Sequence, residues 1–136
     1  RAGPVYPQGT GPGVGVYLGV REAPHRIAMP WNAVPLAPGM IVSNEPGYYR
    51  EGAYGIRIEN LQYITPPAAI PGGEIDMMGF ECLTWAPLAR DLIVVDMLSK
   101  AERDWVNAYH ARVQDVLSDK LEGDVKAWLE QACAVI

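Results

Sequence analysis

Cationic side chains are scarce in this 136-residue sequence: 11 Lys and Arg stand against 16 Asp and Glu, for a formal net charge of −5. No three Lys or Arg are consecutive. A phosphate-backbone binder concentrates positive charge on one face, so neither nucleic acid nor an anionic membrane is expected as a partner. No apolar stretch approaches the roughly 18 residues needed to cross a bilayer. There is also no apolar signal core at the N-terminus and no initiator Met, so no transmembrane or secretory segment is expected, and Arg1 reads as the start of an excised piece. Cysteine is equally sparse. Cys82 and Cys133 form no CxxC and have no cluster of histidines beside them. Neither a zinc site nor a disulfide framework is therefore expected, and the two read as small buried hydrophobes in a reducing, cytoplasmic setting.

Hydrophobic residues make up 49% of the sequence and charged residues 20%. A chain of this length buries roughly 65–70% of the surface its unfolded form exposes, enough for a core without covalent staples. Gly and Pro crowd the first 75 residues, from Gly11-Pro12-Gly13 through Pro46-Gly47 to Pro71-Gly72-Gly73, leaving room only for short strands. Five are expected from β-branched or alternating runs: Val14 to Val20, Met40 to Asn44, Gly55 to Ile64, Phe80 to Trp85 and Leu92 to Val95. The texture changes after Leu98. Ser99-Lys100-Ala101-Glu102 is a capping box, and Trp105, Val106, Tyr109 and Val113 follow at helical spacing. Gly123 breaks that helix, Asp124 can cap a second, and Val125, Trp128, Leu129 and Ala132 share a face. Strands first and helices last make an α+β chain, divided as residues 1–98 and 99–136.

Two segments carry candidate chemistry. Gly9 to Gly15 (GTGPGVG) is glycine-rich, but Pro12 sits inside it, a strand-like run follows it, and no Lys-Ser/Thr pair is present. Phosphate cradles need a strand before and a helix after, so nucleotide binding is not expected here. The other is Ser43 to Tyr49 (SNEPGYY) followed by Gly55 to Asn60 (GIRIEN). Alternation puts Arg57 and Glu59 on one face. If the two segments pair antiparallel, Glu45 and Glu59 converge, and converging carboxylates repel unless a cation or a shared proton neutralises them.

In order along the chain, GTGPGVG with REAP, LAPGMIVSNEPGYY, GIRIENL, FECLTWAPL and ERDWVNAYHARV with WLEQ resemble the Xaa-Pro aminopeptidases, metallopeptidases of family M24 with the pita-bread fold. They match the C-terminal half of the catalytic domain plus the C-terminal segment. The resemblance implies half of a pita-bread fold with a curved antiparallel or mixed sheet, then C-terminal helices. It implies a dinuclear site, usually manganese, held by two Asp, one His and two Glu, that releases the residue before proline from proline-containing peptides. The two Glu ligands fall on Glu45 and Glu59, with Arg57 behind them, and the two Asp ligands belong to a preceding half outside this chain.

Three departures bear on activity. The family pattern HGTGHGVG with VHExP is matched here by Gln8-Gly9-Thr10-Gly11-Pro12-Gly13-Val14-Gly15 and Val20-Arg21-Glu22-Ala23-Pro24. Pro12 stands at the metal-ligating His, and Gln8 and Arg21 at the two histidines that serve substrate and protons. Proline has no donor and arginine stays protonated, so neither replaces an imidazole. This chain alone is therefore expected to be inert and to bind no metal pair. Arg21, with Arg57, is expected to neutralise the two glutamates. His25, one residue beyond the VHExP match, is a possible shifted substitute, whereas His110 reads as structural and Glu81 as solvated or hydrogen-bonded. A second expectation is a non-catalytic peptide-binding, protein-binding or dimerisation module, completed by a second copy or by the missing N-terminal half.

Overall fold

The computed structural model describes residues 9–29 and 31–136. The chain divides into two compact units, the first ending at Thr84 and the second running from Trp85 to Ile136.

The first unit is a five-stranded antiparallel sheet with a separate hairpin. Its strands are β1 (Gly11–Val14), β2 (Val20–Ile27), β3 (Ile41–Asn44), β6 (Asn60–Ile64) and β7 (Phe80–Cys82), in the spatial order β2-β1-β3-β6-β7. The hairpin pairs β4 (Gly47–Arg50) with β5 (Tyr54–Arg57) around Gly52, whose φ of 68° suits a residue without a Cβ. Val14, Val42 and Ile64 are the apolar anchors of the sheet, all buried. Burying such a side chain contributes roughly 1.5–3 kcal/mol, and β1, β3 and β6 carry one each.

The run Val14 to Val20 is not one strand. It folds back on itself between β1 and β2, with Leu18 at φ 63°. The Glu22 carboxylate accepts the amides of Tyr17 (3.2 Å) and Gly19 (3.0 Å), satisfying backbone donors that a strand would have sent to a neighbour. Val16, Tyr17 and Leu18 are consequently exposed, at 91%, 89% and 75%. Nor is Gly55 to Ile64 continuous. The chain leaves β4 after Arg57 and joins β3 from Asn60, so the break falls on Ile58 and Glu59. Leu92 to Val95 forms no strand either: Leu92 ends one 3-10 turn, Arg90–Leu92, and Val95 opens another, Val95–Met97, and their backbone bonds close locally.

In the second unit the capping box at Ser99 and Glu102 opens α1 (Lys100–Leu117), which buries Val106, Tyr109, His110 and Val113. Trp105 is exposed but stacks on Tyr109 at a centroid distance of 5.5 Å. A second helix, α2 (Gly123–Ala132), has Glu122 at its N-cap, and Asp124 sits in its first turn instead of capping it. Of its expected apolar face only Leu129 is buried, while Val125 and Trp128 are exposed. The α+β class and the strands-then-helices order hold.

Candidate functional site

Glu45 and Glu59 occupy matching junctions. Glu45 lies between β3 and β4, where Pro46 ends the first pairing, and Glu59 between β5 and β6, where the chain changes partner. Because β3 and β6 run antiparallel with Asn44 opposite Asn60, the two junctions meet at one end of the sheet. Both carboxylates close on Arg57: its Nε lies 3.0 Å from Glu59 Oε2 and its Nη1 3.4 Å from Glu45 Oε2. Fully buried Ser43 donates to the other Glu59 oxygen at 2.6 Å. Glu59, then Tyr49, hold the Arg57 guanidinium above its ordinary pKa. The expected convergence is present, and Arg57 provides the neutralising charge.

Arg21 does not. It is exposed, has φ 66°, and among the described residues forms no ion pair. The expectation that it neutralises the glutamates is overturned: among the described residues their ion-pair partner is Arg57. Instead Arg21 lines a cleft of about 530 Å³ with Pro12, His25, Arg26, Glu45 and Arg57. Gln8 lies outside the described residues.

His25 crosses beneath β1. It is buried, and its Nε2 lies 2.8 Å from the Ile41 carbonyl, which can only accept, so that nitrogen carries a proton. The crossing requires glycine at position 13: a Cβ there would stand 2.5 Å from the His25 carbonyl oxygen and 2.9 Å from Nε2. One ring nitrogen of this candidate substitute is thus spent on the sheet.

Elsewhere, Glu81 accepts from the Tyr63 hydroxyl across β6 and β7, a bond that raises the tyrosine pKa. His110 is fully buried and accepts the Leu88 amide at 3.1 Å, in keeping with a structural role. Both cysteines are free. Cys133 is buried, which pushes its thiol pKa up, while Cys82 is only partly buried and donates to the Thr84 carbonyl. Tyr49, Arg26 and Ser43 are site features to which the sequence assigned no role: Ser43 and Tyr49 lie inside the SNEPGYY segment, and Arg26 is a second arginine five residues after Arg21 in an acidic chain.

Donor chemistry decides what the site could hold. Two divalent ions at a bridged centre need several anionic or imidazole ligands converging on them. Glu45 and Glu59 already share a guanidinium, the Pro12 side chain offers no donor atom, and no three His, Cys, Asp or Glu side chains group as a metal site among the described residues. The described residues of this chain do not fit a two-metal centre.

Comparison with known proteins places this architecture. Residues 1–66 match the model of metallopeptidase family M24, and residues 76–136 match that of the C-terminal region of peptidase M24. Among curated relatives, the probable Xaa-Pro aminopeptidase P of Laccaria bicolor is 42% identical over 136 residues, covering 95% of this chain and 21% of that protein. Aminopeptidase P2 of Arabidopsis thaliana is 47% identical over 128 residues, covering 91% and 18%. The crystal structure of X-prolyl aminopeptidase from Caenorhabditis elegans, described as a cytosolic enzyme with a di-nuclear active site, superposes with a TM-score of 0.81 at 34% identity, over 94% of this chain and 21% of that one. The chain belongs to metallopeptidase family M24, as a segment of an Xaa-Pro aminopeptidase-type member with part of the pita-bread fold. It spans about a fifth of the length of the relatives it matches.

Proposed function

We propose that this chain is a non-catalytic member of its family: it retains the cleft of an Xaa-Pro aminopeptidase but does not by itself bind two metals or hydrolyse the bond before proline. One observation carries the reading. The surviving carboxylates, Glu45 and Glu59, are both committed to Arg57, while Pro12 stands where the resemblance puts the ligating histidine. The di-nuclear centre is then a feature of the nematode relative, while manganese and proline-containing peptides are what the family resemblance implies. A cytosolic setting fits the description of the nematode enzyme, and no described helix is long and apolar enough to cross a membrane. Incubating the pure chain with Arg-Pro-Pro and Mn²⁺ tests this. No release of the first residue is expected, and steady, chelator-sensitive release would refute it.

A second reading, a docking or dimerisation module, is supported by the exposed Val16, Tyr17 and Leu18 at the tip between β1 and β2. Three adjacent solvated apolar side chains on a hairpin held by Glu22 suit contact with a second copy or with another segment of the same protein. Sedimentation tests it. Association at high micromolar concentration that is abolished by Tyr17→Ser with Leu18→Ser supports the module, and a strict monomer rejects it.

A further inference from the structure

The charge in the cleft runs against the rest of its unit. Residues 9–84 contain four cationic side chains, Arg21, Arg26, Arg50 and Arg57, and seven acidic ones. Three of the four arginines line the cleft, but only one acid, Glu45, does. Arg57 is consumed by Glu45 and Glu59, whereas Arg21 and Arg26 have no ion pair among the described residues. Two irregularities in the β1–β2 register bunch both onto the cleft: Gly13 faces Ala23 and Pro12 faces Arg26. They leave Arg21 at φ 66°, a conformation that side chains with a Cβ avoid and that marks functional positions more often than chance. Guanidinium groups cannot deprotonate, and their planar forks match an oxyanion in two-point contact.

We infer that the cleft is an anion site in which Arg21 and Arg26 hold the carboxylate of a short peptide. The inference rests on the non-catalytic reading, since a metal pair would claim Glu45 and Glu59. Two features favour a carboxylate over a phosphate. Glu45 lies in the lining and repels a dianion more than a monoanion. Pro12, Pro24 and Ile27 supply apolar wall for an organic stem, and about 530 Å³ falls within the range of small-ligand pockets.

Calorimetric titration of the full 136-residue chain at low salt tests this. The probes are a blocked tripeptide with a central glutamate, its glutamine counterpart, an acetylated trialanine with a free C-terminal carboxylate, inorganic phosphate and Mn²⁺. Binding of a carboxylate peptide is expected, with the glutamine peptide silent. Arg21→Gln and Arg26→Gln should each weaken binding about tenfold, the scale of one charge-assisted hydrogen bond. Arg103→Gln, which removes the same charge from the second unit, should leave it unchanged. If Arg26→Gln melts early by circular dichroism, Arg26→Lys keeps the charge without the fork and should still weaken binding. Equal binding of the glutamate and glutamine peptides, no peptide binding, or tighter binding of phosphate overturns the inference. Saturable uptake of two Mn²⁺ would overturn the non-catalytic reading as well, whereas silence of both peptide and metal sinks the anion site alone.

Discussion

Replacing His110 isolates one buried hydrogen bond and its pH dependence. The ring is fully buried in α1, its Nε2 accepts the Leu88 amide at 3.1 Å, and its Nδ1 has no partner among the described residues. An imidazole that accepts must be neutral, and burial, then the nearby Arg90, holds its pKa below the ordinary value. The unfolded chain titrates this ring near pH 6.5, so just below that pH the unfolded form binds a proton that the folded form refuses. Stability from His110 is therefore complete above about pH 6.5 and declines as pH falls toward the depressed folded value, by up to about 1.4 kcal/mol per pH unit. His110→Leu removes the acceptor and strands the Leu88 amide, at a cost of about 1–3 kcal/mol at pH 7.5. His110→Gln can return a carbonyl oxygen to that amide without a titrating ring, at a cost of less than about 1.5 kcal/mol. Urea denaturation followed by tryptophan fluorescence suits the question, because Trp85, Trp105 and Trp128 all lie in this unit. Between pH 7.5 and 5.5 the wild type should lose more stability than either variant, other titrations cancelling in the difference. Parallel pH profiles for all three proteins would mean that His110 does not accept a hydrogen bond as a neutral ring.

Ser43→Ala should cost about 1–2 kcal/mol, since it removes the charge-assisted bond to Glu59 from a fully buried position while water can still reach the carboxylate; chemical denaturation measures it, and Ser43→Thr should do less harm. Gly13→Ala should cost more than about 3 kcal/mol, because its Cβ would meet the backbone of His25 and not a flexible side-chain end; an unchanged melting temperature would contradict the crossing. Glu22→Gln should loosen the hairpin tip and speed chymotryptic cleavage at Tyr17 and Leu18. Arg21→Ala should move stability by less than about 0.5 kcal/mol, as it breaks no ion pair.

The helical segment was legible because its signals are local. Ser99 and Glu102 form the capping box that their spacing announces, and Val106, Tyr109 and Val113 are the residues buried. The paired glutamates were legible through motif order, and their convergence follows from the register of β3 on β6. What the sequence hid depends on choices made between strands. Val16 to Leu18 look like a strand until Glu22, several residues on, captures the amides of Tyr17 and Gly19. Gly55 to Ile64 reads as one alternating run, yet its halves serve different partners, and alternation cannot show where a chain changes neighbour. The placement of Arg21 was hidden for the same reason, since it depends on register irregularities against β1.

Above all, the surviving glutamates belong to an arginine and not to a metal pair. Electron paramagnetic resonance of Mn²⁺ titrated into the pure chain measures this directly, because free Mn²⁺ gives a six-line signal that ligation by protein broadens away. The full free-ion signal is expected to persist up to two equivalents at micromolar concentrations, in wild type and Glu59→Gln alike. Loss of two equivalents of signal in the wild type, restored by Glu59→Gln, would contradict it.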